Sequence, residues 1–113
     1  MIKRAVADRS PYEAKGHFGV STMRIHGKAE TSAEKFWLGF STFLPGGGAD
    51  YAGEDSPTEK VYYVLTGEMT VRDKDGNAYV LHANESISFR PNEGRSLKNE
   101  TNEPATMLVI VNY

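Results

Sequence analysis

Eight short segments rich in Val, Ile, Thr, Tyr and Phe recur along the chain, each closed off by turn residues, and this rhythm limits the fold more than any other feature. They run Val20 to Ile25, Phe36 to Leu44, Lys60 to Leu65, Met69 to Arg72, Ala78 to Leu81, Ser86 to Phe89, Ser96 to Asn99 and Ala105 to Val111. Their shortness and regular spacing are those of a sandwich or barrel, so the chain is read as all-β. The clearest turn, Asp73-Lys74-Asp75-Gly76-Asn77, holds residues that tolerate positive φ and closes a hairpin between Met69–Arg72 and Ala78–Leu81. Thr66-Gly67-Glu68 makes a tighter bend just upstream. Ser32 to Lys35 is the one helical turn expected, too short to stand alone. Gly46-Gly47-Gly48 reads as a bend, because neither the Gly-Lys-Ser/Thr nor the helix that a phosphate cradle needs follows it.

Alternation assigns faces. In Lys60 to Leu65, period two puts Lys60, Tyr62 and Val64 on one side and Val61, Tyr63 and Leu65 on the other, and both sides are largely apolar. A strand covered on both faces in a chain of 113 residues calls for a filled barrel interior and a second layer outside, and Met107 to Val111 has the same character. A twofold homodimer is therefore expected. In the second segment Phe36, Leu38, Phe40 and Thr42 alternate with Trp37, Gly39, Ser41 and Phe43, a pattern of core or dimer packing. Residues 1–35 are read as an N-terminal arm and first strands that pack on the barrel or on a partner subunit, and residues 36–113 as the barrel itself.

Composition removes whole classes of function. A net charge of -2, with the 13 Lys and Arg scattered, offers no footprint for nucleic acid or an anionic membrane. The absence of Cys excludes disulfides, thiolate zinc sites, iron–sulfur clusters and a cysteine nucleophile, and three His leave few nitrogen ligands for a metal. No apolar run approaches the roughly 18 residues of a membrane span. The opening MIKRAVADRS carries charge where a secretory signal has its apolar core, so a cytoplasmic location is expected.

Three stretches together, Leu44-Pro45-Gly46-Gly47-Gly48, Glu59 to Glu68 with its Tyr63-Val64-Leu65-Thr66-Gly67 end, and Asn84 to Pro91, resemble the two signature segments of the cupin superfamily. The similarity runs from about Phe36 to Val111. It implies a double-stranded β-helix, the RmlC-like jelly-roll barrel, as a single domain with its pocket between two sheets. The resemblance also implies where metal ligands would stand. Anchoring the first motif on Gly67 puts the carboxylate position at Lys60 and two histidine positions at Glu54 and Ser56. Anchoring the second on Asn99 puts the third histidine position at Arg95. Glu59 lies one residue from the carboxylate position.

Lys60 and Arg95 repel a divalent ion, so no metal and no other cofactor is expected. Two neighbouring buried cations need compensation, from Glu54, from Glu59 or from an anionic ligand. The candidate catalytic set is Lys60, Glu54 and Tyr62: Lys60 or Glu54 would move a proton and Tyr62 would donate to developing negative charge. The candidate ligand-binding set is Arg95, which can grip a carboxylate bidentately, with Ser56 and Asn99. The partner is then a small organic acid or acidic sugar derivative handled by isomerase or lyase-type chemistry. A non-catalytic binding or accessory barrel is the alternative, and a metal-dependent barrel with a site displaced onto His17, His26, His82 and Glu54 is the third. Each of the three His is otherwise read as a surface or structural residue.

Overall fold

Backbone hydrogen bonds join nine strands into one rolled sheet in the computed structural model, which describes residues 1–8 and 10–113. The strands are β1 (Ser10–Pro11), β2 (His17–His26), β3 (Phe36–Ala52), β4 (Lys60–Thr66), β5 (Glu68–Arg72), β6 (Ala78–His82), β7 (Ser86–Phe89), β8 (Arg95–Lys98) and β9 (Ala105–Asn112). The order across the sheet is β6-β5-β8-β3-β9-β4-β7, with β2 lying along β3 and β1 along β2. All the pairings are antiparallel.

β3 makes the roll possible. Its first half pairs with β9, from Phe36 opposite Asn112 to Phe43 opposite Ala105, and its far end pairs with β8 at Gly48, Ala49 and Ala52. One strand thus passes from one wall of the barrel to the other, and the expected glycine bend is a continuation of the strand. Close approach demands glycine there: a Cβ at Gly48 would land on the backbone carbonyl of Leu97 in β8. The helical turn expected at Ser32 to Lys35 forms four residues earlier, as α1 (Lys28–Thr31). Ser32 ends it in a left-handed conformation, φ 58°, with its N–H bonded to the Lys28 carbonyl.

The inward-facing residues of both walls fill the barrel. Phe43, Val64, Met69, Val71 and Met107 are each at most 1% exposed, with Leu81, Phe89, Leu97, Val109 and Val111 packed around them. On the outer side of the β3, β9 and β4 wall, two apolar rows run across the strands: Leu38, Ile110 and Val61, then Phe40, Leu108 and Tyr63. Val61 and Ile110 are each 36% exposed, so the covered second face expected for β4 is open in the single chain. Among the described residues no helix is long and apolar enough to cross a membrane.

Candidate functional site

Above this core the barrel leaves a cavity of about 170 Å³, floored by Phe43, Leu97, Met107, Val109 and Val111. Its walls are Tyr12, Ala14, His17, Trp37, Ser41, Lys60 and Tyr62. A more open groove along Pro11 to His17 shares Tyr12, Ala14 and His17 with the cavity and forms its approach.

β4 presents two of the walls by alternation. Lys60 and Tyr62 share the inward parity of Val64, and Tyr62 packs on Phe89 of β7 with ring centres 4.9 Å apart. The Lys60 Nζ lies 3.4 Å from the Ser56 Oγ, which is 2.8 Å from the Thr58 hydroxyl. Arg95 opens β8, and its Nε donates to the Tyr62 hydroxyl at 3.0 Å, with the guanidinium 5.8 Å from the ring centre. The phenol oxygen is thereby the acceptor, and its own O–H stays available to a ligand.

Charge in this corner is unbalanced. Among the described residues, the ion pairs are Arg72 with Glu100 and His82 with Glu68 and Glu85, and none involves Lys60 or Arg95. Burial, and then the Arg95 guanidinium, hold the Lys60 ammonium below its ordinary pKa.

His17, read from sequence as a surface or structural residue, belongs to the cavity. Its Nδ1 is 3.0 Å from the Lys15 carbonyl. A carbonyl can only accept, so Nδ1 carries the hydrogen and Nε2 keeps its lone pair. Burial lowers the His17 pKa, with Arg95 acting in the same direction against the Lys15 carbonyl and Asp50. The sequence signal was hidden by a bulge. His17 faces inward opposite Ala49, then the register shifts between Phe18 and Val20, where Gly19 sits at φ +57°, and the strict alternation that would expose His17 as an inward residue is lost.

The arm supplies the rest of the rim. Tyr12 is held by its N–H on the Thr22 carbonyl at 3.1 Å and by its own carbonyl, which accepts from the Thr22 hydroxyl. It meets Trp37 edge to face at 5.4 Å, and the Arg24 guanidinium lies 4.5 Å from both ring centres. Burial pushes the Tyr12 phenol up to about 12, so it remains a neutral hydrogen-bonding group.

Of the residues singled out from sequence, the fold brings Lys60, Tyr62, Arg95 and Ser56 together. Glu54 stands elsewhere: its carboxylate accepts from the Tyr51 hydroxyl at 2.7 Å, and its carbonyl accepts from the Asn92 amide at 2.9 Å. These bonds fix it in an outer hollow shared with Asp73, Asp75, Arg90 and Glu93. Asn99 is fully buried, but its amide is spent on the chain itself, donating to the Phe43 and Glu103 carbonyls and accepting from Thr101. His82 lies between Glu68 and Glu85, and His26 faces Thr31.

The donor set does not fit the divalent ion that the motif positions would hold. Lys60 and Arg95 stand there as cations, and among the described residues no three His, Asp or Glu come together as ligands. What the arrangement offers instead is two basic side chains, an imidazole with a lone pair at Nε2 and a phenol with a free O–H.

Known proteins place the chain in context. Over 113 aligned residues it is 41% identical to a Mycobacterium tuberculosis protein named a beta-D-galactosidase, covering 97% of this chain and 93% of that one. It is similar in structure to a predicted oxalate decarboxylase of Thermotoga maritima, with TM-score 0.83, 17% identity and 98% of both chains covered. A polyketide cyclase of Streptomyces resistomycificus gives TM-score 0.84 and 20% identity over 99% of this chain and 80% of the other. Identities this low speak for the fold alone. Together with the two-walled barrel, the match of residues 39–111 to the cupin domain family establishes that the chain belongs to the cupins.

Proposed function

We propose that the barrel cavity takes up a small cytoplasmic metabolite bearing an anionic group, an organic acid or acidic sugar derivative, and transforms it by isomerase or lyase-type proton transfer without a metal. The observation that carries this reading is that Lys60 and His17 line a cavity with no carboxylate among its lining residues, while Arg95, which borders a neighbouring hollow with Asp73 and Glu93, is hydrogen-bonded to the cavity wall at Tyr62. Arg95 orients the acid group, His17 Nε2 accepts a proton and Tyr62 donates to the developing oxyanion. The cavity volume of about 170 Å³ lies below the roughly 300–1,000 Å³ of drug-sized sites, which restricts the ligand to a single small unit.

Calorimetry with galacturonate, galactose and pyruvate, on the native protein and on Lys60→Met and Arg95→Met, tests this reading. The acids should bind and galactose should not, and each substitution should weaken acid binding at least tenfold, about 1.4 kcal/mol. Equal binding of galactose, or variants that bind acids as the native protein does, would overturn it in favour of an accessory barrel.

The name of the Mycobacterium tuberculosis relative favours a second reading, hydrolysis of a galactoside. Glycoside hydrolysis ordinarily uses two carboxylates about 5–9.5 Å apart flanking the bond, and the cavity lining supplies none. Release of nitrophenol from p-nitrophenyl β-D-galactoside that persists in Lys60→Met and disappears in an outer-hollow variant, Glu54→Gln, would move the reaction out of the barrel.

The outer rows of Leu38, Ile110, Val61, Phe40, Leu108 and Tyr63 form an uncharged face that a second copy of this chain matches by twofold symmetry. Light scattering should give twice the chain mass, and Ile110→Lys should halve it.

A further inference from the structure

We propose that Lys60 is an imine-forming amine and that the ligand it takes is a 2-oxo acid. The inference rests on the anion-binding reading above and adds a covalent step to it.

Geometry carries it, and the electrostatics of the site act in the same direction. Lys60 reaches the cavity from the inward face of β4, and among the described residues it has no carboxylate partner, its side-chain hydrogen bond being a long one to the Ser56 hydroxyl at 3.4 Å. A lysine that is partly desolvated and set beside a second cation holds more of its free amine at neutral pH, which is the condition for attack on a carbonyl. Arg95 uses Nε on Tyr62, a wall residue of the cavity that Lys60 also lines, and its two terminal nitrogens, not used in that bond, are the groups that would hold a carboxylate. A carbonyl directly attached to a carboxylate, as in a 2-oxo acid, satisfies both groups with the shortest ligand, in keeping with the small cavity.

The chemistry balances without a co-reactant. The amine lone pair forms the N–C bond, the carbonyl π pair moves to oxygen, and that oxygen departs as water with the two amine hydrogens. Protonation of the imine nitrogen makes it an electron sink. His17 Nε2 then accepts the proton from the adjacent carbon, the C–H pair becomes a C=C bond, and the imine π pair returns to nitrogen. Reversal with protonation at a different atom completes an isomerisation, and loss of a neighbouring substituent completes an elimination.

The test is reductive trapping of the native protein with pyruvate and cyanoborohydride, read by intact mass and peptide mapping. Lys74, exposed on the β5–β6 turn, is the internal reference. The expected result is one adduct, the mass of pyruvic acid less one oxygen, on Lys60, formed about tenfold faster than on Lys74, as activation of a desolvated amine requires. Lys60→Arg, which keeps the charge and removes the nucleophile, should still bind pyruvate in calorimetry and should give no such adduct. Pyruvate bound by the native protein with no preference for Lys60 in trapping overturns the imine and leaves the anion pocket standing. Absence of pyruvate binding together with absence of trapping overturns both.

Discussion

Replacing Asn99 with Ala separates the framework of the barrel from its pocket. The Asn99 amide is fully buried and makes four hydrogen bonds, donating to the Phe43 carbonyl at 3.3 Å and the Glu103 carbonyl at 2.7 Å and accepting from the Thr101 N–H at 3.1 Å and hydroxyl at 2.8 Å. Each is worth about 1 kcal/mol net, and a buried acceptor left bare costs about 1–3 kcal/mol. Thr101 and Glu103 lie near the surface and can turn to water, whereas Phe43 is in the core, so the loss should be about 3 kcal/mol. With an unfolding entropy of about 2.1 cal/mol/K per residue over 113 residues, 1 kcal/mol shifts Tm by about 4 °C, and the variant should melt about 12 °C lower. Asn99→Asp should do at least as badly at neutral pH, because a carboxylate would face two carbonyls, and should recover as acid protonates it. Urea denaturation and calorimetric melting measure this, and acid binding by the folded variant should match the native protein. A loss below about 1 kcal/mol, or lost binding in a stably folded variant, would refute the structural assignment of Asn99.

Lys60→Met removes a cation whose pKa is lowered on folding, so the penalty it relieves is complete below the folded pKa and fades as pH rises toward 10.5; at neutral pH, with a discount for partial exposure, Tm should rise by about 4 °C, roughly 1 kcal/mol. His17 also has a lowered pKa, so its contribution is intact above 6.5 and is lost as pH falls through the folded value; in paired melts from neutral to acid pH, His17→Gln should show a flatter acid limb than the native protein, and parallel limbs would contradict the assignment. Gly48→Ala drives a Cβ into the Leu97 backbone, which cannot yield as a side chain would, and should cost at least about 3 kcal/mol in denaturant, whereas a native-like midpoint would mean that β3 and β8 can separate freely.

Much of the architecture was legible because the hydrophobic alternation of β4 and β9 is nearly uninterrupted. Lys60, Tyr62 and Val64 face inward as period two requires, and the turn after β5 closes the hairpin with Arg72 opposite Ala78. What escaped lay where a local rule is broken for a tertiary reason. Gly46 to Gly48 read as a bend because nothing around them makes a phosphate cradle, yet backbone packing against β2 and β8 selects glycine inside β3. The Gly19 bulge hid the inward direction of His17. Glu54 and Asn99 were singled out by their places in a motif, but motif position fixes only the Cα; the Tyr51 hydroxyl and the Phe43 and Glu103 carbonyls decide where the side chains point.

The site itself shows what a barrel keeps when its metal-ligand positions carry other residues. A divalent ion held by carboxylate and imidazole, and a pair of cations with no carboxylate partner among the described residues, both place positive charge where β4 and β8 begin. The first draws it from solution, and the second builds it into the chain as Lys60 and Arg95. On the proposed reading both attract a ligand oxygen, and affinity for anions survives the exchange. The chemistry that follows does not, because a Lewis acid polarises an oxygen, while an amine of lowered pKa can bond to the carbon beside it. On the proposed reading the cations in place of ligands direct the barrel toward carbonyl compounds, with Tyr62, hydrogen-bonded to Arg95 and bordering the same cavity as His17, as the hydroxyl that would protonate the departing oxygen.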